Sequence, residues 1–271
     1  MREWRRGATM VMNDVPPYDE QPPGRLIWIY LEPFLDGACC PLCAYGDRSA
    51  KKYLRSLLYD GVTDRFLRAR LRRSLGLCSV HAWRAFDFQD ALFSDHVSLA
   101  FIYHDVTECV IKALCKMQAA RPIPALNFLH TVRMRKKAQQ LERASQLPST
   151  DCPACEHQQH AEEAALSCLL TRLDDDLVAQ RYREGPGLCL QHLSSALERA
   201  AGTPGFDFLL RCEIEKFEKI RRLLHSLQER FDARSDAHPT RDEALAPTQA
   251  LQKLLGRTVE RREPGFFDSY R

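Results

Sequence analysis

The feature that most constrains this chain is a phrase it contains twice. Cys40-Pro41-Leu42-Cys43 is answered by Gly76-Leu77-Cys78-Ser79-Val80-His81, and Cys152-Pro153-Ala154-Cys155 is answered by Gly187-Leu188-Cys189-Leu190-Gln191-His192. Thirty-four residues separate Cys43 from Cys78, and thirty-three separate Cys155 from Cys189. Self-similarity at a nearly fixed spacing reads as an internal duplication with one indel. The register extends beyond the motifs: setting Cys40 on Cys152 places Leu57 and Leu58 on Leu169 and Leu170, and setting Cys78 on Cys189 places Gly76 on Gly187.

Each phrase supplies three thiols and an imidazole, a ligand set that suits tetrahedral zinc. A Cys-x-x-Cys turn grips one ion with two thiolates, and the proline after the first cysteine presets φ where no donor is needed. A Cys-x-x-His pair puts two ligands about one helical turn apart on one face. The gap between the pairs accommodates two helices that fold back. The expectation is two structural zinc ions, one on Cys40, Cys43, Cys78 and His81, the other on Cys152, Cys155, Cys189 and His192. An iron–sulfur cluster in the same sets is the alternative, because sequence does not see the ion. A thioredoxin-like dithiol needs a βαβ context, and haem attachment needs a histidine directly after Cys-x-x-Cys, where Cys155 is followed by Glu156. Four protein ligands per site leave no open position for catalytic zinc, and no other catalytic constellation stands out.

The remaining candidates carry blander readings. Cys109, Cys115, Cys168 and Cys212 lie within helical patterns and read as small core residues, with Cys39 undecided. His157 and His160 have no counterparts after Cys43 and read as surface residues. Asp174, Asp175 and Asp176 read as a solvated helix start.

Apolar periodicity predicts an all-α protein of two duplicated helical units, each closed by a Cys₃His site. Residues 1–24 read as a disordered tail, because four prolines among polar residues cannot bury enough surface to offset ordering entropy. The first unit spans residues 25–121. In it Leu26 to Leu31 pack on that unit, Tyr53, Leu54, Leu57 and Leu58 stripe a helix from about Arg48 to Tyr59, and Asp64 caps a short helix striped by Leu67 and Leu71. A long helix from Ser94 to Met117 is expected to bury Val97, Phe101, Val106, Val110, Ile111 and Leu114. Residues 122–150 form a basic helical connector. The second unit, residues 151–231, ends in a long helix from Phe206 to Phe231. Residues 232–271 read as a linker and tail with a short helix at Thr248 to Leu255.

In 271 residues, 39 basic and 36 acidic side chains nearly balance, so no global field drives the chain to nucleic acid or an anionic surface. Local arginine faces, Arg65, Arg68, Arg70, Arg72 and Arg73 with Arg133, Arg135, Lys136 and Lys137, leave a nucleic-acid-binding regulator as a further alternative. No apolar run reaches the roughly 20 residues that span a bilayer, and the first residues lack a secretory h-region. Eight cysteines and histidines in metal-type spacing point to a reducing, cytoplasmic setting. The function expected from these residues is an interaction scaffold with an unidentified protein partner and no membrane association; enzymatic chemistry is unsupported by the residues rather than excluded.

The run Tyr53-Leu54-Arg55-Ser56-Leu57-Leu58-Tyr59-Asp60, followed by Gly76-Leu77-Cys78-Ser79-Val80-His81-Ala82-Trp83, resembles a bacterial family of uncharacterised proteins, domain of unknown function 6062. The second Cys-Pro-x-Cys and Leu-Cys-x-x-His fit it as well. The resemblance covers Leu26 to Phe231, matches less clearly beyond, and implies no activity. It supports the repeat and leaves mechanism open.

Overall fold

In the computed structural model, residues 24–93, 96–119, 152–232 and 238–256 are described. Among them ten α-helices and two 3₁₀ turns, Glu32–Phe34 and Gly61–Thr63, form the fold, and there is no strand. The helices are α1 Arg25–Leu31, α2 Pro41–Tyr59, α3 Arg65–Arg73, α4 Ser79–Phe93 and α5 Val97–Ala119, then α6 Pro153–Leu170, α7 Asp176–Glu184, α8 Leu190–Ala200, α9 Pro204–Asp232 and α10 Arg241–Leu255. The order from α2 to α5 recurs from α6 to α9. The expected tail over residues 1–23, the basic connector 122–150 and residues 257–271 lie outside the described residues.

Local chemistry sets the boundaries. Pro41 and Pro153 open α2 and α6 at the first helical position, where the missing N–H is no loss. Thus α2 begins at Pro41, ahead of the expected Arg48, and carries Cys43 inside its first turn. Asp64 accepts hydrogen bonds from the Phe66 and Leu67 amides at the start of α3, and Asp175 does the same for Leu177 and Val178 at α7. Gly76 (φ 93°) and Gly187 (φ 68°) take the left-handed backbone that turns the chain into each Leu-Cys step.

α2 and α6 lie antiparallel at the centre. A Cβ at Gly46 would collide with the Glu162 carboxylate, while Ser49 Oγ lies 3.1 Å from His157 Nε2, so α2 runs forward as α6 runs back. Around this pair are two apolar cores, and neither follows one half of the sequence. The first gathers Trp28, Leu31, Leu35 and Leu42 with Leu166, Leu169, Val178, Tyr182, Leu188 and Leu209. The second gathers Leu54, Leu57, Leu58, Leu71, Leu77, Leu99 and Ile102 with Cys152 and Ala154. The start of α2 therefore belongs with the later helices, and the start of α6 with the earlier ones.

Three expectations are corrected here. The Leu26 to Leu31 segment packs on α6 as well as on the first unit, with Arg172 stacked 4.7 Å over Trp28 and Arg48 of α2 stacked 4.6 Å over Tyr30, while Arg181 pairs with Glu32 and Asp36 just beyond it. On α5 the buried face is Leu99, Ile102 and Val106; Val97, Phe101, Ile111 and Leu114 are exposed, because packing against α3 and α2 selects a neighbouring stripe of the helix. The last helix starts at Arg241 rather than Thr248. Thr240 and Glu243 form a reciprocal capping box, and Pro247 sits inside the helix.

Candidate metal centres

The eight predicted ligands gather into two clusters, but not in the predicted pairing. Cys40 and Cys43 meet Cys189 and His192; Cys78 and His81 meet Cys152 and Cys155. Each Cys-x-x-Cys is completed by the Cys-x-x-His of the other half. The within-unit assignment is therefore corrected: antiparallel packing of α2 on α6 carries each helix start to the far half, where the opposite Leu-Cys turn waits.

Every ligand pair sits at a helix N-terminus. Cys40, Cys152 and Cys189 are N-caps of α2, α6 and α8, and the Cys78 carbonyl accepts the first bond of α4 from the Ala82 amide at 2.8 Å. Two helix starts converge on each cluster. Their unpaired amides and positive dipole ends favour thiolates there.

The spacings fit one tetrahedral ion. With Zn–S near 2.3 Å and Zn–N near 2.0 to 2.1 Å, a tetrahedron sets sulfurs about 3.8 Å apart and sulfur to nitrogen about 3.6 Å apart. In the first cluster Cys43 Sγ lies 3.7 Å from Cys189 Sγ, and His192 Nδ1 lies 3.5, 3.4 and 3.3 Å from the sulfurs of Cys40, Cys43 and Cys189. In the second, Cys78 Sγ is 3.6 Å from Cys155 Sγ, and His81 Nδ1 is 3.3, 3.7 and 3.3 Å from Cys78, Cys152 and Cys155. Both histidines turn Nδ1 inward.

Electrostatics say the same of each set. Hydrogen bonds from Cys40, then Cys43 and His192, hold the Cys189 thiol far below its ordinary value. The hydrogen bond with Cys78 leads in bringing Cys152 down to about 3. Burial pushes Cys40 and Cys155 up, and Cys78 rises mainly through its hydrogen bond to Cys152. Burial works against a charged His192, yet hydrogen bonds to Cys189, Cys43 and Glu162 raise it to about 12. In each cluster one thiol is held down while Cys40, or Cys78 and Cys155, is pushed up, and a dication bound there would displace the protons of the raised thiols.

The surroundings differ. His192 Nε2 lies 3.3 Å from Glu162 Oε2, and Gln158 donates to Glu162 Oε1 at 2.8 Å, the carboxylate–histidine support typical of metal ligands. Behind this cluster Glu213 is buried; it accepts from the Tyr182 hydroxyl at 2.6 Å, from the Leu188 amide at 2.9 Å and from Lys253 of α10. Lys253 also donates to the Pro186 carbonyl at 2.9 Å. The end of α10 then closes over the sulfurs: a Cβ at Gly256 would stand 3.3 Å from Cys43 Sγ and 3.6 Å from Cys189 Sγ. In the second cluster His81 is buried and its Nε2 has no hydrogen-bond partner among the described residues.

Of the other candidates, Cys168 and Cys212 are core residues as expected, whereas Cys115 is exposed and Cys109 half-exposed. His157 stacks on Tyr53 and His160 is exposed; neither joins a cluster. Arg68 and Arg72 of the arginine face pair with Asp105 at 2.7 and 2.9 Å, and Arg70 pairs with Glu156. Glu162, Glu213 and Lys253 were missed from sequence. Only the Thr240-Arg241-Asp242-Glu243 capping signature could have pointed to α10.

Among the described residues no helix is long and apolar enough to cross a membrane. The chain matches the profile of a family of unknown function, DUF6062, over residues 30–261, so the match takes in α10 and the end that reaches the first cluster. An uncharacterized 23.9 kDa protein in xynA 3'region of Caldicellulosiruptor sp. (strain Rt8B.4) is 25% identical over 221 residues, 80% of this chain and 95% of that protein. No solved structure matches. The chain belongs to the DUF6062 family.

Proposed function

We propose that this member of an uncharacterised family is a cytoplasmic helical scaffold in which two structural zinc ions staple duplicated halves together. The observation that carries the reading is the crossed pairing at tetrahedral spacing: each set joins two cysteines at the start of α2 or α6 to a cysteine and a histidine of the opposite half. Four protein donors complete the coordination, which is the pattern of structural and not catalytic zinc. All donors of a cluster lie within 4.8 Å of one another. That compactness favours a single ion, because an iron–sulfur cluster spreads its ligands over several irons.

The surface left for a protein partner includes large apolar side chains, among them Phe66 at 72% exposure and Phe101 at 55%. Nucleic acid is the weaker reading, since among the described residues Arg68, Arg70 and Arg72 of the arginine face are engaged with carboxylates. Elemental analysis of anaerobically purified, untagged protein with an absorbance spectrum tests the reading. About two zinc per chain and no visible band is the expected result; iron with a visible band would replace it with redox chemistry.

A further inference from the structure

We propose that the two ions are not equivalent: the ion on Cys78, His81, Cys152 and Cys155 exchanges with small thiols in solution, while the ion on Cys40, Cys43, Cys189 and His192 is locked. This rests on the two-zinc reading and adds to it a chemical role for one site.

Three observations separate the clusters. Cys155 is exposed and Cys78 half-exposed beside a buried Cys152, whereas in the other set only Cys43 is half-exposed and Cys40 and Cys189 are 4% and 1% exposed. The locked site is covered by the end of α10, which Lys253 pins to the buried Glu213. The outer nitrogen of His192 is held by Glu162, but the residue at the matching place for His81 is Ala50, as Glu162 lies ten residues after Cys152 and Ala50 ten after Cys40. Ala50 is fully buried and its side chain offers no acceptor, and among the described residues His81 Nε2 has no hydrogen-bond partner. A ligand histidine without that support is a weaker and less oriented donor.

A route to Cys155 exists. An open polar cavity of about 360 Å³ between α6 and α8 is lined by Cys155 together with Gln158, Gln159, Glu163, Ser195 and Arg199. His192 and Glu162 line the same cavity, but His192 Nδ1 faces the sulfurs. Its size and its mixed amide, carboxylate and guanidinium lining suit a small zwitterionic thiol. In the exchange the incoming thiol gives its proton to Cys155 as that sulfur leaves the ion, and its own sulfur takes the place. One metal–sulfur bond forms, one breaks, and no oxidant is required.

The experiment is zinc release from the two-zinc, full-length protein into a chromogenic chelator, with glutathione as the probe thiol. Two phases of one zinc each are expected. The fast one accelerates with glutathione, and the slow one is unaffected by it. Limited alkylation followed by peptide mapping should find Cys155 modified first among the eight ligands. Glu162→Gln should speed the slow phase about 10-fold or more. A single phase, or first alkylation at Cys43, would overturn the inference while leaving two structural ions in place. Protein that carries no zinc would overturn the two-zinc reading, and this inference with it.

Discussion

The sulfurs of Cys43 and Cys189 stand 3.7 Å apart although 146 positions separate them in the chain. The start of α2 is thereby tied to the start of α8, and Cys78 with Cys155, at 3.6 Å, ties α4 to α6 in the same way. Each tie runs between halves, so an ion bound in either cluster would cross-link the whole fold and not close a separate module.

Chelation should therefore unfold both halves together. Structural zinc contributes about 10 to 16 kcal/mol of apparent binding energy in small modules, which rivals the roughly 5 to 15 kcal/mol that stabilises an ordinary domain. Circular dichroism of the metal-free protein should show loss of helix in one transition. Retention of full helicity and an unchanged melting temperature would contradict the cross-link role.

Zinc binding should release protons and weaken in acid. Cys40, Cys78 and Cys155 have raised pKa values, so the folded, metal-free protein holds their protons at neutral pH and the ion must displace them. The metal-free state binds more protons, so lowering the pH favours it, and zinc affinity should rise with pH through the neutral range. Calorimetric titration in buffers of different ionisation enthalpy counts the protons; more than one per ion is expected, and none would contradict the account.

The Lys253–Glu213 pair sits at 5% and 1% side-chain exposure beneath the Leu188-Cys189 turn. Lys253→Met leaves a buried carboxylate uncompensated and should cost about 3 to 5 kcal/mol in denaturant unfolding. The same variant should hasten zinc loss from the Cys40, Cys43, Cys189 and His192 site. A neutral effect on both would mean that α10 does not hold that site shut.

Thr240 caps α10 through the Glu243 amide. Thr240→Ala should destabilise by about 1 kcal/mol and speed amide exchange along Arg241 to Leu255 more than elsewhere. Uniform change across the helices would contradict a local cap.

The residue types of both sites, the all-helical class, the caps at Asp64 and Asp175 and the turns at Gly76 and Gly187 were legible because each has a local signature. The pairing was not. Gaps of nearly equal length make within-half and crossed closure indistinguishable by spacing, and what decides between them is the antiparallel contact of Gly46 with Glu162, a relation between distant residues. Periodicity likewise misplaced the α5 stripe, since Phe101 and Ile102 are both apolar and only the packing partner chooses which is buried. The buried Lys253 carries no apolar signal at all.

The crossed pairing is tested most directly by counting zinc in paired variants by native mass spectrometry. In Cys43→Ala/Cys189→Ala both losses fall on one site, so one zinc should remain; in Cys43→Ala/Cys78→Ala each site loses a ligand, and both ions should go. The opposite result, no zinc in the first variant and one in the second, would show that each half closes its own site and would contradict the account.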